Sequence, residues 1–352
     1  MATILFAGGG SIGHIAPAVA VARSLKELKP DVNVRFICSN REEDAEFLTR
    51  EGFDFIQIDA PRLSLTFPWR FFSAYKKSSA LLKEMKPDII FSKGGYVSVP
   101  VCLAAHKKKI PIILHESDAV SGYANRLVSR WAEVVCLGFP QTTSNVQRRM
   151  SLDVGRWTFT NNPIRSEITQ GNREEGLRIT HFSGNKPILI VMGGSQGAQA
   201  LNEAVAENLE ELLKLCDIIH LTGEGKMSTQ PRDGYWVREF AHEELAHLYA
   251  ISTFALSRAG AGSIAELEAN NIPTILVPLE GAAHNHQLKN AEAAAKSGQF
   301  TVLRQHKLKG QLVDIVNDTF INRGKLTVNC QMLTVDKDAS RQIAEILFKY
   351  LA

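Results

Sequence analysis

Twice in this chain an apolar, strand-like run breaks into glycines and then into a helical stretch: ILFAGGGSIGH at 4–14 and ILIVMGGSQGA at 188–198. A glycine-rich turn between strand and helix lets backbone N–H groups approach an anion at the helix start. Further β-rich runs are predicted at 34–38, 88–91, 110–114 and 134–137, and at 218–222, 253–257 and 274–277. Helical patterns at 17–28, 69–85, 199–215 and 287–296 lie between them. Such alternation implies parallel sheets with helices on both faces. Two similar openings then imply two doubly wound α/β domains, each with its turn at the end of the first strand. A length of 352 residues fits two domains of roughly 150 each. The Asn161-Asn162-Pro163 step, an Asx pair before proline, marks the boundary, so the domains are expected at 1–161 and 162–336. A last amphipathic helix over 340–351 could pack on either one.

Apolar residues at 45% and charged residues at 22% exclude disorder, collagen-like repeats and a disulfide scaffold. No run of 18 apolar residues offers a membrane span, and MATILFAGGG lacks the regions of a signal peptide. The five cysteines are scattered without a CxxC pair, which suits a reduced cytosolic protein rather than a zinc or disulfide framework. The net charge of +3 conceals an asymmetry. Residues 62–109 hold ten Lys or Arg, Lys93 among them, against Glu84 and Asp88, a surplus of +8 that leaves the remainder at −5. One part of the molecule is therefore basic and suited to an anionic surface or ligand.

The turn Gly8-Gly9-Gly10-Ser11-Ile12-Gly13-His14 does not fit GxGxxG, and no acidic residue closes the 34–38 strand before Ser39-Asn40. A dinucleotide oxidoreductase is disfavoured. His14, at the positive end of a helix, is expected to favour the neutral imidazole that can accept a proton; it could equally bond to the loop and fix its shape. In the second half, Gly193-Gly194-Ser195 repeats the turn with a hydroxyl for a phosphate. The stretch Arg258 to Glu266 can be read as a capping box, Ser263-x-x-Glu266, which needs no ligand. The other reading has amides of Gly260, Ala261, Gly262 and Ser263 hold a diphosphate while Glu266 takes both hydroxyls of a ribose. More small residues precede the cap than capping requires. His284 and His286 do not make a metal site by themselves; Gln287 and Asn290 are expected to hydrogen-bond a polyhydroxylated ligand.

The segment LSLTFPWRFFSAYKK (63–77) sets Phe67, Trp69, Phe71 and Phe72 beside Arg70, Lys76 and Lys77. A helix starting at Trp69 would turn Phe72, Tyr75, Ser79 and Leu82 to the core, leaving other aromatics exposed beside cations. That suits an anionic bilayer surface. An inward-folded loop is the plain alternative, and base stacking on RNA lacks an accompanying recognition module, so no nucleic-acid partner is expected.

Six ordered motifs now carry a resemblance: GGGSIGHIAPAVAVA (8–22), FSKGGYVSVPV (91–101), HESDAVSGYANRL (115–127), NNPIR (161–165), GGSQGA (193–198) and SRAGAGSIAELEANNIPTILVPL (257–279). The chain resembles the MurG family, N-acetylglucosaminyltransferases of peptidoglycan and hence cell-wall synthesis that convert lipid I into lipid II. The resemblance implies the GT-B fold, two Rossmann-like domains facing across a cleft, with the C-terminal helix (337–352) returning to the first. It implies a UDP-N-acetylglucosamine donor on the second domain. Gly260, Ala261, Gly262 and Ser263 would carry the diphosphate and Glu266 the ribose. Phe240 and Ala241 would border the uracil, Arg165 and Ser195 would reach the nucleotide, and His286 with Gln287 would read the sugar. Lipid I, an undecaprenyl-linked acceptor, would sit on the first domain at Gly10, Ser11, Gly13 and His14, at Gly94, Gly95 and Tyr96, and at Asn125, its diphosphate on the amides of 10–14. A peripheral enzyme on the cytoplasmic membrane face is implied.

The chain departs from the family pattern in places. GGGSIGH stands where many members read GGTGGH, Asn161 where glycine is usual, and His286-Gln287 where others have two glutamines. Asp118 replaces a frequent asparagine, so His14 and Asp118 are both candidate bases. An inverting attack of the muramyl 4-hydroxyl on the anomeric carbon needs such a base and positive charge for departing UDP. Helix N-termini and Arg165 can supply that charge, so no metal or other cofactor is expected. A UDP-N-acetylglucosamine 2-epimerase would share fold and nucleotide but need further acid–base residues at the sugar; a related glycolipid glycosyltransferase is the nearer alternative.

Overall fold

The structure is a computed structural model and describes residues 1–60, 67–140, 142, 156–194, 197–281, 285–321 and 338–351. It forms two compact units, Met1–Arg165 with Asp338–Ala352, and Ser166–Lys337. In the first, seven parallel strands run β1 (Thr3–Ala7), β2 (Asn33–Ser39), β3 (Asp54–Ile58), β4 (Ile89–Ser92), β5 (Ile112–Glu116), β6 (Val134–Leu137) and β7 (Trp157–Phe159). Their spatial order is β3-β2-β1-β4-β5-β6-β7. The helices are α1 (Ile12–Leu28), α2 (Glu42–Arg50), α3 (Phe67–Met85), α4 (Ser98–Lys107) and α5 (Tyr123–Val128). In the second unit, six parallel strands are β8 (Ile188–Met192), β9 (Asp217–Leu221), β10 (Tyr235–Arg238), β11 (Phe254–Ser257), β12 (Thr274–Leu276) and β13 (Phe300–Val302), in the order β10-β9-β8-β11-β12-β13. Its helices are α6 (Arg173–Thr180), α7 (Gln199–Glu207), α8 (Leu209–Leu215), α9 (Leu245–Ile251), α10 (Ala261–Ala269), α11 (His286–Ala294) and α12 (Leu308–Ile321); α13 (Ala339–Lys349) belongs to the first unit.

Both sheets reverse their strand order beside the strand that feeds a glycine turn, between β1 and β4 and between β8 and β11. In doubly wound sheets the crevice at the carboxyl ends of such strands is where ligands bind. Alternation along β1 sends Ile4 and Phe6 to one face and Leu5 and Ala7 to the other, each into its own buried cluster. Phe6 stacks on Phe36 with ring centroids 5.0 Å apart. The apolar stripe Ile343, Ala344 and Leu347 of α13 enters the α1 side of this core, and Ser340 Oγ donates to Ile164 O at 3.0 Å. The residue pattern left that helix open to either domain, and the family resemblance implied the first, where it lies.

The compact units divide a few residues beyond the Asx-Pro step. His115 Nε2 donates to Asn161 O at 2.9 Å and Asn162 Nδ2 donates to Ser117 O at 3.1 Å, tying that step to the end of β5. The expected helix 199–215 is two helices, broken at Asn208, whose backbone is non-helical. Strands β3, β7, β10 and β13, edge or near-edge strands of three to five residues, escaped the sequence reading because short runs carry little periodicity.

Candidate functional site

At the first switch point the loop after β1 meets the loop after β4. Gly9 and Gly10 have φ of 150° and 90°. A Cβ on Gly10 would stand 2.6 Å from Tyr96 Cε1, so the close approach of the two loops requires glycine. Gly94 (φ 86°) presses on the Asn125 side-chain amide, and a Cβ on Gly95 would lie 3.0 Å from Gly9 O and 3.9 Å from His14 Nε2. Gly10, His14, Gly94, Gly95, Tyr96 and Asn125 are thus brought together, although they span over a hundred positions in sequence.

One expectation for this loop is corrected. The Gly10 N–H is taken by Asp44 Oδ2 at 2.7 Å, and the same oxygen accepts from Ser39 Oγ at 2.6 Å. Asp44, fully buried on α2, shapes the turn from behind, and Arg41 Nη1 donates to Gly10 O at 2.7 Å. The anion-directed amides are therefore those of Ser11, Ile12 and Gly13, in the first turn that a helix leaves unpaired.

His14 is half-buried, its ring bonded to the Lys93 backbone and its Nδ1 without a partner. Its pKa is lowered, so the neutral form expected from the helix end holds, but burial is the leading cause and the Lys93 ammonium the second. Around it the chain gathers charges that the sequence reading missed. Lys93, counted there among the basic surface residues, is 1% exposed. Its ammonium donates to Ser117 Oγ, and burial lowers its pKa to about 8 against the raising effect of Glu116 and Asp118. Glu116 is buried at the end of β5; it accepts from Asp118 N at 2.9 Å and from Asn125 Nδ2 at 3.0 Å. Burial, then the neighbouring Asp118, raises its pKa. Asn125 Oδ1 is buried without a partner. The signal for Lys93 was available: a lysine just after the apolar run Ile89-Ile90-Phe91 and Ser92, ahead of two glycines, has little surface to occupy.

The second switch point is built differently. Gly194 (φ 77°) and Gly197 (φ 65°) turn the chain after β8, and a Cβ on Gly197 would strike Thr222 O. Ser195 lies outside the described residues. After β11, α10 starts from Gly260 as N-cap with no side-chain cap bond. The capping box is therefore not formed: Ser263 is in the third helical position, and Glu266 Oε2 accepts from Tyr249 Oη at 2.9 Å. A Cβ on Gly262 would meet nothing within 4 Å. Phe240, 38% exposed, stacks on His242 after β10, with Ala241 half-buried beside it.

Gln287 is half-buried and accepts from Leu279 N at 2.9 Å, next to half-buried His286 at the start of α11. Asn290 does not serve as a ligand reader: it is fully buried and its Nδ2 donates to Ala259 O at 3.3 Å, bracing α10 from beneath. His284 lies outside the described residues. Arg165, half-buried, ends the first unit.

On α3 the inward face is Ala74, Ser78 and Leu82. Phe72, expected to face the core, is 53% exposed, Trp69 is 81% exposed, and Phe71 is half-buried. The helix starts two residues before Trp69, and with Ala74 inward Phe72 lies about 200° around the helix from it, on the outer side. Lys76 Nζ lies 4.7 Å from the Phe72 ring centroid, and Lys77 Nζ donates to Gln57 O at 2.9 Å. Because α3 joins two parallel strands, its N-terminal aromatics lie towards the same carboxyl edge of the sheet as the 8–14 loop. Among the described residues no helix is long and apolar enough to cross a membrane.

Comparison with known proteins places these features in a family. Residues 4–137 match the glycosyltransferase family 28 N-terminal domain and 188–343 the C-terminal domain. A Clostridium tetani protein, UDP-N-acetylglucosamine--N-acetylmuramyl-(pentapeptide) pyrophosphoryl-undecaprenol N-acetylglucosamine transferase, is 35% identical over 99% of this chain and 98% of its own. The crystal structure of Acinetobacter baumannii MurG superposes with a TM-score of 0.75 at 25% identity, covering 99% of this chain and 100% of that one. A UDP-GlcNAc 2-epimerase from Neisseria meningitidis, solved with UDP-GlcNAc, reaches 0.69 at 14% identity, with 99% of each chain covered, a likeness of fold alone.

Proposed function

This chain belongs to the MurG family within glycosyltransferase family 28 and has its GT-B fold, and from that premise we propose that it moves N-acetylglucosamine from UDP-N-acetylglucosamine to the muramyl 4-hydroxyl of lipid I. The donor sits at the second switch point: its diphosphate on the amides at the start of α10, its ribose on Glu266, its uracil beside Phe240 and Ala241, and its sugar at His286 and Gln287. The acceptor sits at the first, with its diphosphate over the N-terminus of α1. Arg165 and the α10 amides meet the departing UDP, with no metal ion involved. The proton of the attacking hydroxyl goes to His14 or Asp118. The observation that carries this reading is a pair of buried, unpartnered acceptor atoms, Asn125 Oδ1 and His14 Nδ1, at the first switch point. Buried polar atoms in folded proteins almost always have partners, and substrate hydroxyls would supply them here.

A lipid-linked acceptor leaves the bilayer only at about 0.8 kcal/mol per CH₂. The enzyme therefore docks peripherally on the anionic cytoplasmic membrane face, through Trp69, Phe72 and the α3 cations, Lys76 and Lys77 among them. Trp69→Ser with Phe72→Ser should cut sedimentation with anionic vesicles and spare activity on a short-chain acceptor; unchanged sedimentation would remove the docking surface. The activity itself is tested by mass spectrometry of products formed from UDP-N-acetylglucosamine offered with lipid I or with diacylglycerol. A hexosaminyl adduct of lipid I is expected. An adduct of diacylglycerol alone, or epimerised donor alone, would overturn the assignment.

A further inference from the structure

Lys93 has no role in the transfer described above, yet it is the most costly group in the first switch-point crevice. An ammonium removed from water loses several kcal/mol of hydration unless partners restore it. At 1% exposure Lys93 has them: its Nζ donates to Ser117 Oγ, and the Glu116 and Asp118 carboxylates are near enough to act on its charge. Its Cβ packs at 3.2 Å from the place a Gly8 side chain would begin, so the β1 turn is built around it. His14 hangs from its backbone.

We propose that Lys93 is a positioning residue for the transfer: its ammonium pins Ser117, and with it the Glu116–Asp118 segment, and provides a fixed positive charge that keeps the base of the reaction in its proton-accepting form. This deepens the proposed function and rests on it for the reaction, though not for the electrostatics. The groups facing this charge are Glu116 and Asp118 at the end of β5, His115 within that strand, and His14 on α1, which also senses Asp44 of α2. Lys93 lowers the proton affinity of His14, of His115 and of Glu116. The Asp118 carboxylate in turn raises the proton affinity of Lys93, so both candidate bases border this charge.

The test is the pH profile of kcat/KM for wild type, Lys93→Met, Lys93→Gln and Ser117→Ala. Without the cation, the base binds its proton at higher pH. The acid limb in Lys93→Met and Lys93→Gln should then move up by about one unit, a tenfold loss of kcat/KM below the limb. Gln keeps a donor for Ser117, so it separates charge from contact and guards against a Met variant that fails to fold. Ser117→Ala keeps the charge, and its limb should stay in place even if kcat falls a few-fold. An unmoved limb in a folded Lys93→Gln would overturn the proposal, as would a Ser117→Ala limb displaced as far as that of the lysine variants. NMR titration of the His14 ring in the unliganded protein provides a readout independent of turnover: its midpoint should rise in both lysine variants, and no rise would overturn the electrostatic role. If wild type transfers no sugar while the midpoint still rises, the functional reading fails and only the electrostatic role of Lys93 stands.

Discussion

The two switch-point crevices stand on the same strand order and the same glycine turn, yet they are furnished oppositely. The first is crowded with titratable groups, His14, Lys93, Glu116, Asp118 and Asp44, three of them on strand ends or loops and two on helices. The second offers small residues, the uncapped N-terminus of α10 with open space at Gly262, and the Glu266 carboxylate bonded to Tyr249. An activated diphosphate sugar needs little more than N–H groups and clearance to be held. Deprotonating a hydroxyl needs groups whose proton affinity has been moved, and moving it takes burial and neighbouring charge. On the proposed reading, proton chemistry falls to the first unit, beside the acceptor diphosphate, and the second unit only holds the donor.

The largest effect should come from breaking the first crevice. His14→Ala is expected to lower kcat by about 10²–10⁴ while leaving UDP affinity, read by calorimetry, unchanged. Asp118→Asn is the companion measurement: normal turnover in His14→Ala with loss in Asp118→Asn would move the base to the carboxylate.

Next in size is a contrast between histidines. His220 in the second unit is buried, as His115 is in the first, but its bonds are complete: Nδ1 meets Tyr235 Oη at 2.8 Å and Nε2 meets Asn202 Oδ1 at 3.0 Å. It is held neutral with a pKa of about 4, from an ordinary 6.5, by burial. A folded-state pKa below the unfolded one means the unfolded chain binds the extra proton. Stability from this group is complete above pH 6.5 and declines as pH falls towards 4, by up to about 3 kcal/mol. Urea unfolding of His220→Gln should show a shallower loss across that window; an unchanged slope would mean His220 is protonated in the folded state.

Glu266→Ala should weaken UDP binding by about 1–3 kcal/mol, the cost of leaving ligand hydroxyls unpaired. With no capping box to break, its melting temperature should stay near that of wild type, and a large drop would restore a structural role to Glu266.

The smallest effects sharpen the comparison most. Gly94→Ala forces a Cβ at φ 86° against Asn125 and should lower stability by more than about 1 kcal/mol. Gly262→Ala meets nothing in the chain, so stability should hold or rise by up to about 1 kcal/mol. UDP affinity should nevertheless fall by about 1–3 kcal/mol as the methyl crowds the diphosphate. Unchanged UDP affinity in Gly262→Ala would place the nucleotide elsewhere.

Much of this architecture was legible in the residues. Continuous apolar runs ending in glycine identify β1 and β8, which the structure places at Thr3–Ala7 and Ile188–Met192. Strand–helix alternation implies the parallel sheets because a parallel pair needs a long crossover. The six motifs were enough to recognise the family. The short outer strands were not legible, and neither was the direction of Phe72, which depends on which stripe of α3, here Ala74, Ser78 and Leu82, packs on the sheet.

Sequence by itself determined the local chemistry: which turns can bend, which helices can begin at an anion, and which residue types are present to move a proton. Tertiary structure alone decided which of them meet. Asp44 reaches Gly10 from 34 positions away, and Lys93 meets Ser117 across 24, because the strand order sets β2 beside β1 and β5 beside β4. A lysine in a sequence is a surface charge until the fold removes its water, and burial together with its new neighbours then decides its proton affinity. Those two quantities belong to the packed sheet and to no stretch of the chain taken separately.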